Sequence, residues 1–486
     1  MKRFNSKVFL VILLAGFVIT GCKKDNTTQI SAKDLEINQF IWSGLHNYYL
    51  WVDDVPNLSA SKFNSQADWN AFLYQYSDHE KLFYSLLYNY GSTDRFSWIV
   101  DDYTALEQEF QGITKSMGDN FRLYQLANSN NVIGVERYVV KGGPADNAGI
   151  RRGDVFIKVD GQQLTISNYK SLLENKDSYT LDFAYISNHI ITPNGRTITL
   201  TAAEVHENPI YLDTILVINN KKTGYLVYNQ FVSDYDLQLN DVFNHFKNEG
   251  IQQLILDLRY NPGGAISSAI YLSSMIYSTD TTKEFVSEQF NSAFQSYIVD
   301  SFGSNYLISR FVDKIAKTDV APEATINSLN LSKVYIITTG STASASELVI
   351  SGLKPYIDVI TVGTNTVGKY VGSMTIKDYD QNGVLNPNHK WAMQPIVLKL
   401  VNSAGLTDYS NGFTPTAIDT EYIDNLLPFG DTNEELLNAT INYINGNSKK
   451  SLKLNSGIQV KAIADSKDFV PHSKEMYINL KLKRRR

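Results

Sequence analysis

From about residue 205 to residue 445 the chain alternates strand-like and helix-like segments, and this alternation restricts its fold more than any other feature. "GYLVYNQF" (Gly224 to Phe231) reads as a strand, and "DLQLNDVFNHFKNEG" as a helix closed by Gly250. "QLILDLR" (Gln253 to Arg259) reads as a buried strand and "KVYIITT" (Lys333 to Thr339) as another, each followed by a turn and a helical segment. The pattern predicts α/β units, with helices flanking a sheet. At 486 residues, 43% hydrophobic and 19% charged, the chain is expected to divide into two or three domains with real cores.

Ahead of that region, "DLEINQFIWSGLHNYYLWVDDV" sets Leu35, Phe40, Ile41, Leu45, Tyr48 and Tyr49 at largely helical spacing, and "ADWNAFLYQYSDHEKLFYSLLYNY" continues the style. Residues 23–105 are therefore expected to form a small helical domain with its aromatics in the core. In residues 106–204, Val132 to Val140 reads as a strand and Gly142-Gly143-Pro144 as a turn. Ala145 to Ala148 reads as a short helix stopped by Gly149, and Asp154 to Val159 as a strand. "GGPADNAGIRRGDVFIKVDG" resembles the core of a PDZ domain of the bacterial protease type. The resemblance implies that an extended peptide end adds to a sheet edge with its carboxylate caged by backbone N–H groups. That cage would lie near "SMGDNF" (Ser116 to Phe121), which departs from the family's pattern.

The two ends bear on location. "MKRFNSK" followed by "VFLVILLAGFVI" (Val8 to Ile19) has the basic start and short apolar run of a signal peptide, too short for a comfortable membrane span. It runs into "ITGC", which resembles a bacterial lipobox. Residues 1–22 are thus expected to be a lipoprotein signal peptide ending at Cys22, the lipidated first residue of the mature chain. The acyl chains would contribute about 0.8 kcal/mol per buried methylene and tether the protein to the cell envelope, on the outer membrane's periplasmic or surface face. Cys22 is the only cysteine, so the fold stands without internal disulfides. A net charge of −6 gives no reason to expect a nucleic-acid partner, and "KLKRRR" (Lys481 to Arg486) reads as a solvated terminus. No role is legible for residues 449–486.

"VGTNTVGKY" (Val362 to Tyr370) looks at first like a phosphate-binding loop lacking the Ser or Thr after its Lys. In such a loop the Lys opens a helix, whereas "YVGSMTIKDY" reads as a strand or hairpin. An exported protein would also meet little ATP. No nucleotide, metal or other cofactor is expected, and none of the seven histidines lies in a zinc-type pair.

Three segments carry candidate chemistry. In "VYIITTGSTASASELVISGL" a strand enters a Gly-Ser-Thr turn and a helix starts near Ser344, where unpaired N–H groups suit a developing oxyanion. Ser341, Thr342, Ser344 and Ser346 are equally able to act as simple helix caps. In "LILDLRYNPGG" the turn glycines Gly263 and Gly264 expose main-chain N–H groups that can donate to an oxyanion. The third segment is Gly368-Lys369.

Together these segments resemble the carboxy-terminal processing protease family of tail-specific serine peptidases, which also carry a PDZ domain; the resemblance covers most of Asn131 to Asn445. It implies a ClpP/crotonase-like peptidase core, a mixed sheet with flanking helices, over residues 205–448. It further implies that Ser344 of "SASE" is the nucleophile and that Lys369, 25 positions on (369 − 344), is the general base. The Gly263-Gly264 turn and the Ala345 N–H would form the oxyanion hole, and Glu347 matches the family. The residue that orients the lysine in many members, a Gln four after it or an Asp eleven after the serine, is replaced by Ser373 and Pro355, with Asp358 nearby. A Ser/Lys dyad is therefore expected, with Ser373 as a supporting hydrogen-bonding group. The base must be an uncharged amine, which burial favours over the free Lys pKa of about 10.4. The expected activity is hydrolysis of exported or unfolded polypeptides held by their C-terminal ends. The alternative is a catalytically silent peptide-binding scaffold on the same fold.

Overall fold

The computed structural model describes residues 30–318, 321–424, 426–447, 458–469 and 476–478. The expected leader with Cys22 and the Lys481 to Arg486 run lie outside the described residues.

The alternating region builds a six-stranded sheet in the order Ile210–Ile218, Lys221–Tyr228, Gln253–Asp257, Lys333–Thr338, Asp358–Gly363 and Ala417–Ile418. The first pair is an antiparallel hairpin and every later pair is parallel. Spatial order thus follows chain order, and each parallel step requires a crossover. Alternate side chains go to opposite faces, as strand geometry dictates. Leu254, Leu256, Val334 and Ile336 join the helices Asp236–Asn248, Ile266–Ile276 and Ala345–Leu353 in one core. Ile255, Tyr335 and Ile337 join Leu436 and Leu437 of the helix Glu435–Ile444 on the other face.

A second six-stranded sheet runs Gly264–Ala265, Met476–Tyr477, Val371–Ser373, Ile396–Asn402, Glu284–Phe290 and Ile308–Arg310. Its Val286, Val397, Leu398 and Leu400 enter the same core as the three helices. Gly263-Gly264 and Lys369 therefore feed strands of one sheet, while Ser344 leaves the end of the other.

The N-terminal helices Ala32–Tyr48, Gln66–Leu73 and His79–Ser85 gather Ile37, Ile41, Leu45, Leu73, Leu82 and Phe83 into a separate core. Ile376 and Met393 complete that core, and Trp98–Val100 pairs with Ala392–Gln394. The helical region is thereby fastened to the chain that follows Lys369.

The PDZ-like region forms a sheet in the order Asp119–Leu126, Val132–Val139, Val155–Val159, Ser178–Ser187, Ile190–Thr201, with its short helices at Pro144–Asn147 and Tyr169–Leu173. Arg152 ties it to the peptidase-like core, donating to Tyr260 Oη at 2.8 Å and Glu421 Oε1 at 2.7 Å. The C-terminal extension, silent in the sequence, supplies an edge strand to this domain, Val460–Asp465, and the inserted strand Met476–Tyr477 of the second sheet.

Candidate active site

The strand Lys333–Thr338 ends in a tight turn that delivers Ser344 at φ 67° and ψ −118°, immediately before the helix Ala345–Leu353. A non-glycine residue in such a conformation costs about 1–3 kcal/mol and persists only where its surroundings hold it. Here Thr342 Oγ1 donates to Leu258 O at 2.8 Å and accepts from Thr339 N at 2.9 Å, while Ala343 N donates to Asn261 O at 3.1 Å. The other three hydroxyls of the segment bond away from the helix end and do not cap it. Ser346 Oγ donates to Asn261 O at 3.2 Å, and Ser341 Oγ donates to Asp465 Oδ2 at 2.9 Å. Ser344 Oγ is buried and has no hydrogen-bond partner among the described residues.

Glu347, on the first turn of the same helix, organises the centre. Its Oε2 accepts from the main-chain N–H of Ser344 and of Lys369, both at 2.8 Å. Oε1 accepts from Gly368 N at 2.7 Å and from Thr366 Oγ1 at 2.6 Å. Burial pushes this carboxyl above its ordinary pKa, opposed by these four donors.

Lys369 is fully buried and its Nζ lies 4.7 Å from the centre of the Phe96 ring. Arg95 beside it donates to Gly368 O at 3.0 Å. Gly368 has φ +87°, and a Cβ there would stand 2.2 Å from Ser410 O. The strand Val371–Ser373 that follows is the extended structure read from the sequence, not the helix of a phosphate loop. Ser373 Oγ donates to Met476 O at 3.1 Å and accepts from Gln394 Nε2 at 3.0 Å.

The Asn-Pro-Gly-Gly turn corrects one expectation. Asn261 Oδ1 accepts from Gly263 N at 2.9 Å, a short side-chain turn, so the Gly263 N–H is engaged within the turn and is not an open donor. Gly264 sits at φ +138°, where a Cβ would meet Phe231 O at 2.1 Å, so only glycine fits. Ala345 supplies the first N–H of its helix, which has no partner within the helix. Asp257 and Arg259 of the same motif are buried partners: Arg259 Nη2 bonds Asp257 Oδ2 at 2.7 Å and Glu434 Oε2 at 2.9 Å, and Tyr225 Oη bonds Asp257 at 2.8 Å. These groups brace the turn.

The sequence reading missed Arg95, Phe96 and Gln394, which come from the helical region and from the strand paired with it. Their only signal was an arginine-aromatic pair beyond the last predicted helix.

The model of "Peptidase family S41" matches residues 222–395, that of the "Peptidase S41 N-terminal domain" residues 36–98, and a "PDZ domain" model residues 137–183. Over residues 222–395 the chain is thus similar to peptidase family S41. A Picosynechococcus protein named carboxyl-terminal-processing protease is 25% identical over 231 residues, 47% of this chain and 49% of that protein. A Staphylococcus aureus protein named "Probable CtpA-like serine protease" is 24% identical over 263 residues, 52% of this chain and 45% of that protein. The chain thus spans about half the length of the curated relatives it matches. A solved Bacteroides fragilis structure described as a "Putative S41 protease" superposes with a TM-score of 0.62 at 27% identity, over 84% of this chain and 98% of that one. The three matched ranges fall in the α/β, helical and PDZ-like regions respectively.

Proposed function

We propose that this chain is a serine-type endopeptidase in which Ser344 is the nucleophile and Lys369 the general base. One observation carries the reading: Ser344, alone among the four hydroxyls of its turn, has no hydrogen-bond partner among the described residues and sits in a strained conformation at a helix start. Neutral Lys369 takes the Ser344 proton as Oγ attacks the scissile carbonyl, and the Gly264 and Ala345 N–H groups receive the developing oxyanion. The ammonium then protonates the leaving amine and an acyl-enzyme remains. Water, deprotonated by the same amine, releases the acyl group and restores the serine. Glu347 positions the two partners through their main chains, and the Phe96 ring fixes the lysine head.

In this reading the PDZ domain receives the C-terminal ends of exported or unfolded polypeptides by strand addition, and Cys22 carries a lipid that tethers the protein to the cell envelope. Incubation of the protein with an unstructured, apolar-tailed peptide tests the proposal. Cleavage is expected in the wild type and in Ser346→Ala, and is expected to fall at least a thousandfold in Ser344→Ala and Lys369→Ala. Binding without cleavage by the wild type would instead establish the silent scaffold. Loss of acylation in Ser346→Ala with retention in Ser344→Ala would move the nucleophile.

A further inference from the structure

The strand Val460–Asp465 lies antiparallel on Asp119–Leu126, with Val460 opposite Leu126 and Asp465 opposite Arg122. It runs toward the loop that begins at Ser116, the polarity a C-terminal peptide takes when it adds to a PDZ edge. Ile463, Ala464 and Phe469 pack into the PDZ core beside Leu172 and Leu173 of the short helix, so the segment lies between strand and helix. Phe121 N donates to Ser466 Oγ at 3.2 Å, and Phe469 stacks obliquely on Tyr169.

Its charge is read as well. Asp465 pairs with Arg122, through the Nη2–Oδ2 contact at 2.8 Å, and with Arg137 Nη1 at 3.1 Å. Both arginines also donate to Ser341 Oγ, at 2.7 and 3.1 Å, three residues before Ser344. Farther along, Met476–Tyr477 is inserted between Gly264–Ala265 and Ser373, and Ile478 N donates to Ser373 O at 3.0 Å. The described parts of the extension therefore cover the peptide edge, bond the turn before Ser344 and flank Gly264 and Ser373.

The fit is incomplete at the carboxylate end. A cavity of about 470 Å³ remains there, lined by Met117, Gly118, Asn120, Pro262 and Lys467 among others. The Lys467 amine, carried by the tail itself, is buried with no hydrogen-bond partner among the described residues, a cost that displacement of the tail relieves.

We propose that Val460–Phe469 is a resident, displaceable ligand of the PDZ edge, and that the substrates which replace it are extended C-terminal peptides with an acidic residue opposite Arg122 and Arg137. This rests on the peptidase reading for its consequence, since displacement breaks the Asp465–Ser341 bond three residues before Ser344, but not for its test. The probe is a fluorescein-labelled synthetic peptide of residues 459–469 with a free C-terminal carboxylate, and binding is followed by anisotropy on full-length protein in a Ser344→Ala background. Asp465→Lys, which repels the tail from the two arginines, and Ala464→Pro, which breaks its ladder by a different route, are each expected to raise peptide affinity at least tenfold. A probe carrying Asp465→Asn is expected to bind more weakly. Unchanged affinity in both tail variants overturns the resident-ligand proposal, and equal binding of the two probes overturns the acidic preference. With Ser344 restored, a gain in binding without cleavage leaves this proposal standing and removes the peptidase reading; cleavage without a gain does the reverse.

Discussion

The main-chain N–H groups of Ser344 and Lys369 donate to the same oxygen, Glu347 Oε2, each at 2.8 Å. The carboxylate binds the turn that carries the hydroxyl to the turn that carries the amine, which lie on different sheets. Glu347→Gln keeps the volume but puts an amide donor where two N–H donors converge. Bonds to charged groups are worth about 1.5–3 kcal/mol, and stranded donors add to the loss. The expected result is a fall in kcat of at least a hundredfold with KM little changed, and stability lower by roughly 2–4 kcal/mol, read by steady-state kinetics and urea unfolding.

Gly368 is the second fastening. Its φ of +87° and the 2.2 Å approach of a built Cβ to Ser410 O leave no room for a side chain, and the obstacle is main chain that cannot rotate away. Gly368→Ala is expected to cost more than about 2 kcal/mol and to displace Lys369. Thermal unfolding and peptide cleavage should fall together.

Ser373 occupies the position where a lysine-orienting Gln was sought, yet its hydroxyl holds Met476 O and accepts from Gln394. If it anchors the C-terminal strand, Ser373→Ala should leave kcat within about threefold of wild type and speed hydrogen exchange in Met476–Tyr477. A hundredfold fall in kcat with unchanged exchange would return it to the role of orienting the amine.

Asp236 gives a stability profile with a definite sign. Burial pushes it up to about 8, the nearby Ser268 hydroxyl opposing the shift, and its Oδ1 has no hydrogen-bond partner among the described residues. In the unfolded chain the group ionises near 3.9. The native state therefore keeps a proton that the unfolded state releases, so this residue lowers stability progressively from about pH 4 to pH 8 and no further above that. Asp236→Asn is expected to be more stable than wild type at pH 8 by roughly 2–4 kcal/mol, with the advantage gone near pH 4. Urea titrations at the two pH values measure it.

Much of the fold was legible because its signals are local. The strands at Gln253–Asp257 and Lys333–Thr338 and the helix Asp236–Asn248 lie within two residues of the segments read from hydrophobic pattern and turn glycines. The PDZ-like strands at Val132–Val139 and Val155–Val159 were equally plain. Ser344, Glu347 and Lys369 were named through the resemblance of their motifs to the processing proteases, and the fold brings the main chains of Ser344 and Lys369 to the Glu347 carboxylate. Gly263 was misread because an N–H exposed by a turn is free only if no nearby side chain claims it, and Asn261 does.

By itself the sequence determined which segments are strands and helices, which serine and lysine are candidates, and that no disulfide can help. Backbone preference and apolar periodicity act over a few residues and are written in order along the chain. Only the tertiary structure decided what surrounds the amine, Phe96 and Arg95 from 273 positions away in the Arg95–Gly368 bond, and where the C-terminal extension goes. A strand edge accepts any segment of suitable length and polarity. Its occupant is selected by the packing of the whole molecule, which no local pattern records.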